Sequence, residues 1–474
     1  MKKLINRRFS FFIYGFSFFI YAYLLFSARR NGLLPYPAKG MDQLTMISAT
    51  ADMYYGHMPP AGYLYSPLYT LFLYVLVVLA QGNLIIMRLL QAALCALTPV
   101  LIYKLSRKIR LDRESSQVAA LLYCFYGAAA LITLSFLRAG PLAFCYILFA
   151  YTLVNAFIKR KVFNYLLAGF AAALCVLGRE NFVPVVFAPL FMLFFRDVRT
   201  KIKKQYIVAY FSGMFMLILP FSLYNFVRFQ SFAIIPGAFE NIFTIFHADR
   251  TSRATLSTPI FHSIFVNLPV QLLKFMSSYE IPNSLSFYAH KEIIDFMAIF
   301  IIPFNLLLGF AMTAVFLYKK NKGVLFLALS VAAYCGSLLF FDMLYRYRVP
   351  VAPLVALLAG LGIVGIFRRR PIFYKMTVPL AFVVLFFFAT YSSPDSIRLK
   401  SERLSVARRL IINKQYTKAE NYIKKLDDDS INTDKLFYLL VASLRKDGEI
   451  NRASYIILER NKMVKLRNTG SENE

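Results

Sequence analysis

The chain has 474 residues, 59% of them hydrophobic and 16% charged, with a formal net charge of +30. A soluble domain carries roughly 45–50% apolar and about 25% charged residues, so this composition excludes an ordinary soluble enzyme. The charge is no nucleic-acid signature, because Lys and Arg stand in short clusters between apolar runs, as membrane orientation signals do.

The apolar runs recur from Phe9 to Thr390. Hydrocarbon about 30 Å thick takes roughly 20 residues of helix, and a backbone in lipid must satisfy its own hydrogen bonds. The alternation of a membrane barrel is missing. The expected class is therefore all-α, a polytopic membrane protein of about eleven spans plus a small helical C-terminal domain. The spans read as 9–28, 85–104, 117–135, 140–157, 162–179, 183–195, 206–224, 293–318, 323–341, 351–367 and 373–390. The first follows Lys2, Lys3, Arg7 and Arg8; without a small-x-small cleavage site it reads as an uncleaved helix.

Alternate connections are basic: Lys104–Arg113, Lys159–Lys161, Arg196–Lys204, Lys319–Lys322 and Arg368–Arg370. The positive-inside rule puts these, and the N-terminus, in the cytoplasm. Counting Tyr63–Ala80 as a span would break the alternation, so it reads as an amphipathic or re-entrant segment at the outer surface. The outward regions are then a first loop at 29–83, a long loop at 225–291, and the tail from Tyr391. The membrane domain is 1–390 and the tail 391–474. Short loops and the lack of organellar signals fit the inner (plasma) membrane of a bacterial cell envelope.

The tail repeats. A shift of 34 residues aligns Leu410 with Leu444 (444 − 410), Ala419 with Ala453 and Ile423 with Ile457. This is the tetratricopeptide period. Residues 398–463 read either as a protein-partner module or as a helical pair packed on the rest of the chain.

No Walker loop, GxSxG or HExxH motif is present. The five cysteines lie inside apolar runs and read as small buried hydrophobes. The four histidines are scattered without ligand spacing. Asp42, about a dozen residues beyond the first span, is a carboxylate near an interface, which is costly unless paired or functional. On residue chemistry alone it fits a helix cap better than a base. Arg346 and Arg348 fit interfacial snorkelling, and Tyr345 and Tyr347 an aromatic belt.

Asp42, Gly56, Ser66-Pro67-Leu68-Tyr69, Arg88-Leu89-Leu90, Gly178-Arg179 and Pro220–Asn225 follow one another in a recognisable order. Ala238-Phe239-Glu240-Asn241, Glu280-Ile281-Pro282-Asn283 and Tyr345-Arg346-Tyr347-Arg348-Val349-Pro350-Val351-Ala352-Pro353 continue it. Over about residues 1–390 this order resembles the GT-C glycosyltransferases, which include protein O-mannosyltransferases and lipid A aminoarabinose transferases. The resemblance implies a GT-C-like fold and an inverting hexosyl or pentosyl transfer from a polyprenyl-phosphate sugar to a glycan, lipid or protein acceptor at the outer face.

Carried onto this chain, the resemblance makes Asp42 the general base and Arg346 and Arg348 the ligands of the donor phosphate. His57, Arg179, Glu240, Tyr345 and Tyr347 become substrate contacts, with Asp52 and Glu180 as spare outer carboxylates. Arg138 stands where many members carry an acid, and Gln43 where Glu is common. Arg138 is therefore expected on the phosphate, and no cofactor or metal is expected. The alternatives are a lipid or glycan transporter or flippase, and a non-catalytic scaffold; few acids within the spans weigh against proton or sodium coupling.

Overall fold

The structure is a computed structural model that describes residues 2–33, 42–57, 66–191, 200, 202–230, 260–281, 287–339, 343–368, 396–425, 431–458 and 460. Among these residues all regular structure is helical. The expected span 373–390 lies outside them.

The apolar runs fold as helices because each amide must find its partner within its own segment. In chain order they are α1 (Lys2–Arg30), α2 (Asp42–Tyr54), α3 (Pro67–Ala80), α4 (Leu84–Cys95), α5 (Leu97–Lys108), α6 (Arg113–Cys124), α7 (Gly127–Thr133), α8 (Ala139–Lys159), α9 (Val162–Gly178), α10 (Val183–Phe191), α11 (Lys204–Phe229) and α12 (Ile260–Met276). There follow α13 (Phe287–Lys291), α14 (Phe304–Leu317), α15 (Lys322–Leu338), α16 (Tyr345–Arg348), α17 (Ala352–Arg368), α18 (Ser396–Ile412), α19 (Tyr416–Lys425) and α20 (Ile431–Lys446).

The chain is a multi-pass membrane protein. Five described helical stretches are long and apolar enough to cross a bilayer: Arg7–Arg30, Leu84–Lys108, Ala139–Lys159, Lys204–Val227 and Asp295–Leu317. Helices α6 and α7, bent by 58°, pass the same test only as a pair, as a broken span or a re-entrant loop. Helices α9, α15 and α17 coincide with expected spans at 17 residues each. By contrast α3 has 14 residues, a rise of about 21 Å. That is short of the hydrocarbon thickness.

The chain divides into two compact units. The first comprises residues 1–23, 37–283 and 299–392. Lipid is as apolar as leucine, so its helices gain cohesion from close backbone approach rather than from the hydrophobic effect. Small residues mark the crossings. A methyl group on Gly169 of α9 would collide with the Tyr210 carbonyl of α11, and one on Gly213 with the Leu166 carbonyl. Gly362 of α17 meets the Phe310 carbonyl of α14 in the same way, and Gly360 meets Ala119 of α6.

Helix α8 has 21 residues, so its ends lie about 31 Å apart. The basic connections come together at its C-terminal end, where Lys108, Arg110, Arg160 and Lys322 line one pocket. Arg368 joins Asp112 (3.3 Å) and Glu114 (2.8 Å) beside them in sequence. Arg138 stands at its N-terminal end, with Arg179, Arg346 and Tyr347 near it.

The second unit comprises residues 24–36, 284–298 and 393–474. Its tail is two helix–turn–helix pieces: α18 with α19, and α20 with a helix at 450–458. The 34-residue shift holds at the level of single hydrogen bonds. The Gln415 amide donates to the Leu410 carbonyl (2.8 Å), and the Glu449 amide to the Leu444 carbonyl (2.9 Å). Lys414 (φ +58°) and Gly448 (φ +84°) occupy the same left-handed turn position. Leu410, Leu444, Ala419 and Ala453 are buried, and Ile456 takes the buried place next to the half-exposed Ile457. Within this unit Lys418 bonds to Asn31 (2.6 Å) and Tyr422 to Glu292 (2.9 Å).

Because Gly169 meets backbone rather than a flexible side chain, Gly169→Val is expected to destabilise the unit by about 1–3 kcal/mol. Thermal unfolding in detergent measures this. A melting temperature equal to that of the parent chain contradicts the close α9–α11 crossing.

Candidate functional site

The site is built on the turn between α7 and α8. Carbonyls that end a helix lose their helical partners, and buried ones need donors from elsewhere. Arg88 and Gln91 supply them, three residues apart on one face of α4. Gln91 Nε2 donates to the Thr133 and Ser135 carbonyls, both at 2.7 Å. Its Oε1 accepts from the Tyr69 hydroxyl of α3 (3.0 Å). Arg88 Nε donates to the Leu134 carbonyl (3.0 Å), and its guanidinium lies 4.4 Å from the centre of the Phe136 ring. Gln43 Oε1 accepts from the Phe136 amide (3.3 Å). The second residue of α2 thus touches the turn that carries Arg138.

Two further strands of backbone reach the same place. Helix α9 ends at Gly178, whose carbonyl accepts from the Ser66 hydroxyl (3.0 Å) and from Arg138 Nη1 (3.5 Å). Arg179 follows in extended conformation; its Nε donates to Asn181 Oδ1 (2.8 Å), and Asn181 donates to the Ser337 carbonyl (3.2 Å). The third segment is α16, where the Tyr334 hydroxyl donates to the Tyr347 carbonyl (3.0 Å).

Tyr347 is the meeting point. Arg179 Cζ lies 3.8 Å from its ring centre and Arg346 Cζ 5.1 Å. Arg346 Nη2 donates to the Tyr347 hydroxyl (3.3 Å). Burial alone would push the phenol up; Arg346, Arg179 and Arg138 outweigh it and hold the phenol below its usual pKa. Burial lowers the pKa of Arg138, Glu180 opposes that shift, and Arg179 and Arg346 add to it. Among the described residues, three guanidinium groups from three separate parts of the chain therefore share one neighbourhood with the Glu180 carboxylate. Such a concentration of planar donors suits a phosphate.

Arg348 does something else. It is 1% exposed, and its guanidinium turns inward to Glu280 Oε2 (2.6 Å) and to the carbonyls of Ser277 and Tyr279 (2.6 Å each). The Tyr126 hydroxyl donates to the other Glu280 oxygen (3.1 Å). Burial raises the Glu280 pKa, and Arg348 works against it. Arg348, expected on the donor phosphate, here faces Glu280 and backbone carbonyls rather than Tyr347. Residues two apart on a helix point to different sides, so α16 sends Arg346 to Tyr347 and Arg348 into the protein.

The remaining expected residues divide. Tyr345 is fully buried and faces away from solvent, and its amide donates to the Ile281 carbonyl (3.0 Å). His57 is exposed beyond the end of α2. Asp42 opens α2, next to Gln43, while its side chain lies outside the described residues. Glu240 also lies outside them. Residue-level reasoning missed the Glu280 latch and the Gln91 staple. The only sequence signal for the latter was a polar residue three positions after Arg88 inside an apolar run.

Removing one partner of a buried ion pair leaves the other charge uncompensated, which costs about 3–5 kcal/mol. Arg348→Met is therefore expected to lower the unfolding temperature strongly, and Arg348→Met/Glu280→Leu to restore much of the loss. Equal melting of Arg348→Met and the parent chain contradicts the latch.

Residues 65–224 match the family model described as dolichyl-phosphate-mannose-protein mannosyltransferase. That stretch contains Ser66, Arg88, Gln91, Arg138 and Arg179. Among solved structures, ArnT from Cupriavidus metallidurans, crystallised with undecaprenyl phosphate, is similar at 14% identity and a TM-score of 0.46, over 92% of this chain and 77% of that one. No curated protein matches. Through residues 65–224 the chain carries the likeness to GT-C membrane mannosyltransferases to which its motifs point.

Proposed function

We propose that the chain is an inverting membrane glycosyltransferase that moves a hexosyl or pentosyl group from a polyprenyl-phosphate donor to a hydroxyl acceptor at the outer face of the plasma membrane. The observation that supports this reading is the gathering of Arg138, Arg179 and Arg346 at Tyr347, beside the turn that touches the start of α2.

In this reaction Asp42 takes the proton of the acceptor hydroxyl as its oxygen bonds to the anomeric carbon. The bond from that carbon to the phosphate oxygen breaks, and its electron pair stays on the departing polyprenyl phosphate. Charge therefore builds on the phosphate as the bond lengthens. Donors aimed at developing charge are the largest source of rate in many enzymes. The three arginines take that role, with Tyr347 holding Arg179 and Arg346 in place. With this much positive charge at the leaving group, the reaction runs without a divalent metal. The acceptor is a glycan, lipid or protein. The N-terminus lies in the cytoplasm and the tail outside, following the placement of the basic clusters; residues 398–463 offer a surface for a protein partner.

A transfer assay in vesicles with labelled polyprenyl-phosphate sugar tests these roles. Asp42→Asn is expected to reduce turnover roughly a hundredfold or more with membrane insertion intact; undiminished transfer removes Asp42 as the base. Arg346→Ala is expected to slow transfer about a hundredfold. An unchanged rate makes that arginine structural. Chelation with EDTA is expected to leave the rate unaltered, and abolition by EDTA with rescue by a divalent cation contradicts the metal-free reading.

A further inference from the structure

The opposite, basic end of α8 holds a second assembly of cations that sugar transfer does not use. A groove of about 1040 Å³ lies between Arg7–Tyr14 of α1 and helix α5. Arg7, Lys104, Arg107 and Lys108 line it, together with the apolar Phe11 and Leu97. Lys108 also lines the adjoining pocket of about 340 Å³, where it joins Arg110, Arg160 and Lys322. No carboxylate lines either space among the described residues. The nearby acids are committed elsewhere, since Asp112 caps α6 through the Ser115 amide and both Asp112 and Glu114 pair with Arg368.

Snorkelling lysines spread into water, but Lys108 is held. Its ammonium lies 4.3 Å from the Tyr151 ring centre and donates to the Tyr151 hydroxyl (3.2 Å). Tyr151 is neutral, so among the described residues no lining carboxylate offsets the fixed charge between the two spaces. The apolar residues are open: Phe11 is 66% exposed and Leu97 38%. Both belong to segments long and apolar enough to cross the bilayer, so they face acyl chains. Cations beside apolar residues match an anionic lipid, and basic pockets between transmembrane helices bind such headgroups.

We propose that this groove is a binding site for an anionic phospholipid, with a phosphate against Lys104, Arg107 and Lys108 and an acyl chain along Phe11 and Leu97. Because Lys108 stands between two adjoining cationic spaces, a lipid with two phosphates, such as a diphosphatidylglycerol, binds more tightly than one with a single phosphate.

The test is native mass spectrometry of the full chain in neutral detergent, titrated with diphosphatidylglycerol, phosphatidylglycerol, phosphatidylethanolamine and soluble glycerol phosphate. Affinity is expected to fall in that order, with diphosphatidylglycerol at least tenfold tighter than phosphatidylethanolamine. Lys104→Gln/Lys108→Gln is expected to weaken anionic lipid binding about tenfold, while Lys319→Gln/Lys320→Gln, outside the groove, leaves it unchanged. Equal binding of phosphatidylethanolamine overturns the proposal. So does glycerol phosphate binding as tightly as the lipids, or an equal loss in both double variants. The wild-type lipid series decides the matter even if a variant fails to fold.

Discussion

Three guanidinium groups crowd one tyrosine at the end of a membrane bundle, and the rest of the first unit is organised around the cost of keeping them there. Like charges repel, and the repulsion grows as solvent is excluded. Arg138, Arg179 and Arg346 nonetheless sit within one electrostatic neighbourhood. The arrangement persists because each arginine is tied to a rigid element. Arg138 follows a turn pinned by Gln91, Arg88 and Gln43. Arg179 follows a helix end fastened by Ser66 and Asn181. Arg346 rides on α16, anchored by Arg348 and Tyr334. An anion would relieve the repulsion, and groups such as Arg138 and Tyr347, shifted by burial and charged neighbours in one cluster, mark a candidate functional site.

The supports follow from lipid as a solvent. Interrupted helices expose carbonyls that water cannot reach, so side chains must satisfy them. The α7–α8 turn is such a place, and Arg88 and Gln91 satisfy its carbonyls. The glycine crossings of α9 with α11 and of α14 with α17 bring backbones close enough for dispersion to hold the frame.

Much of this was legible in the sequence. Apolar run length fixes helices, and the alternation of basic clusters anticipates that Lys108, Arg160 and Lys322 meet at one end. The 34-residue repeat was visible as aligned small and apolar residues, and the turns at Lys414 and Gly448 repeat with it. Arg138, Arg179, Arg346 and Tyr347 were each named from the sequence. What it could not resolve was direction. Arg346 and Arg348 read as one pair, yet a helix separates residues two apart. The carboxylate that claims Arg348 lies 68 positions earlier, and no local spacing announces such a pairing.

The account stands on the arginine cluster being a phosphate site. A cryo-electron-microscopy map of the full chain with polyprenyl phosphate bound tests this most directly. The account predicts the phosphate oxygens within about 3 Å of guanidinium nitrogens of Arg138, Arg179 or Arg346. A well-ordered phosphate held elsewhere, with those arginines still turned to Tyr347 and protein carbonyls, contradicts it.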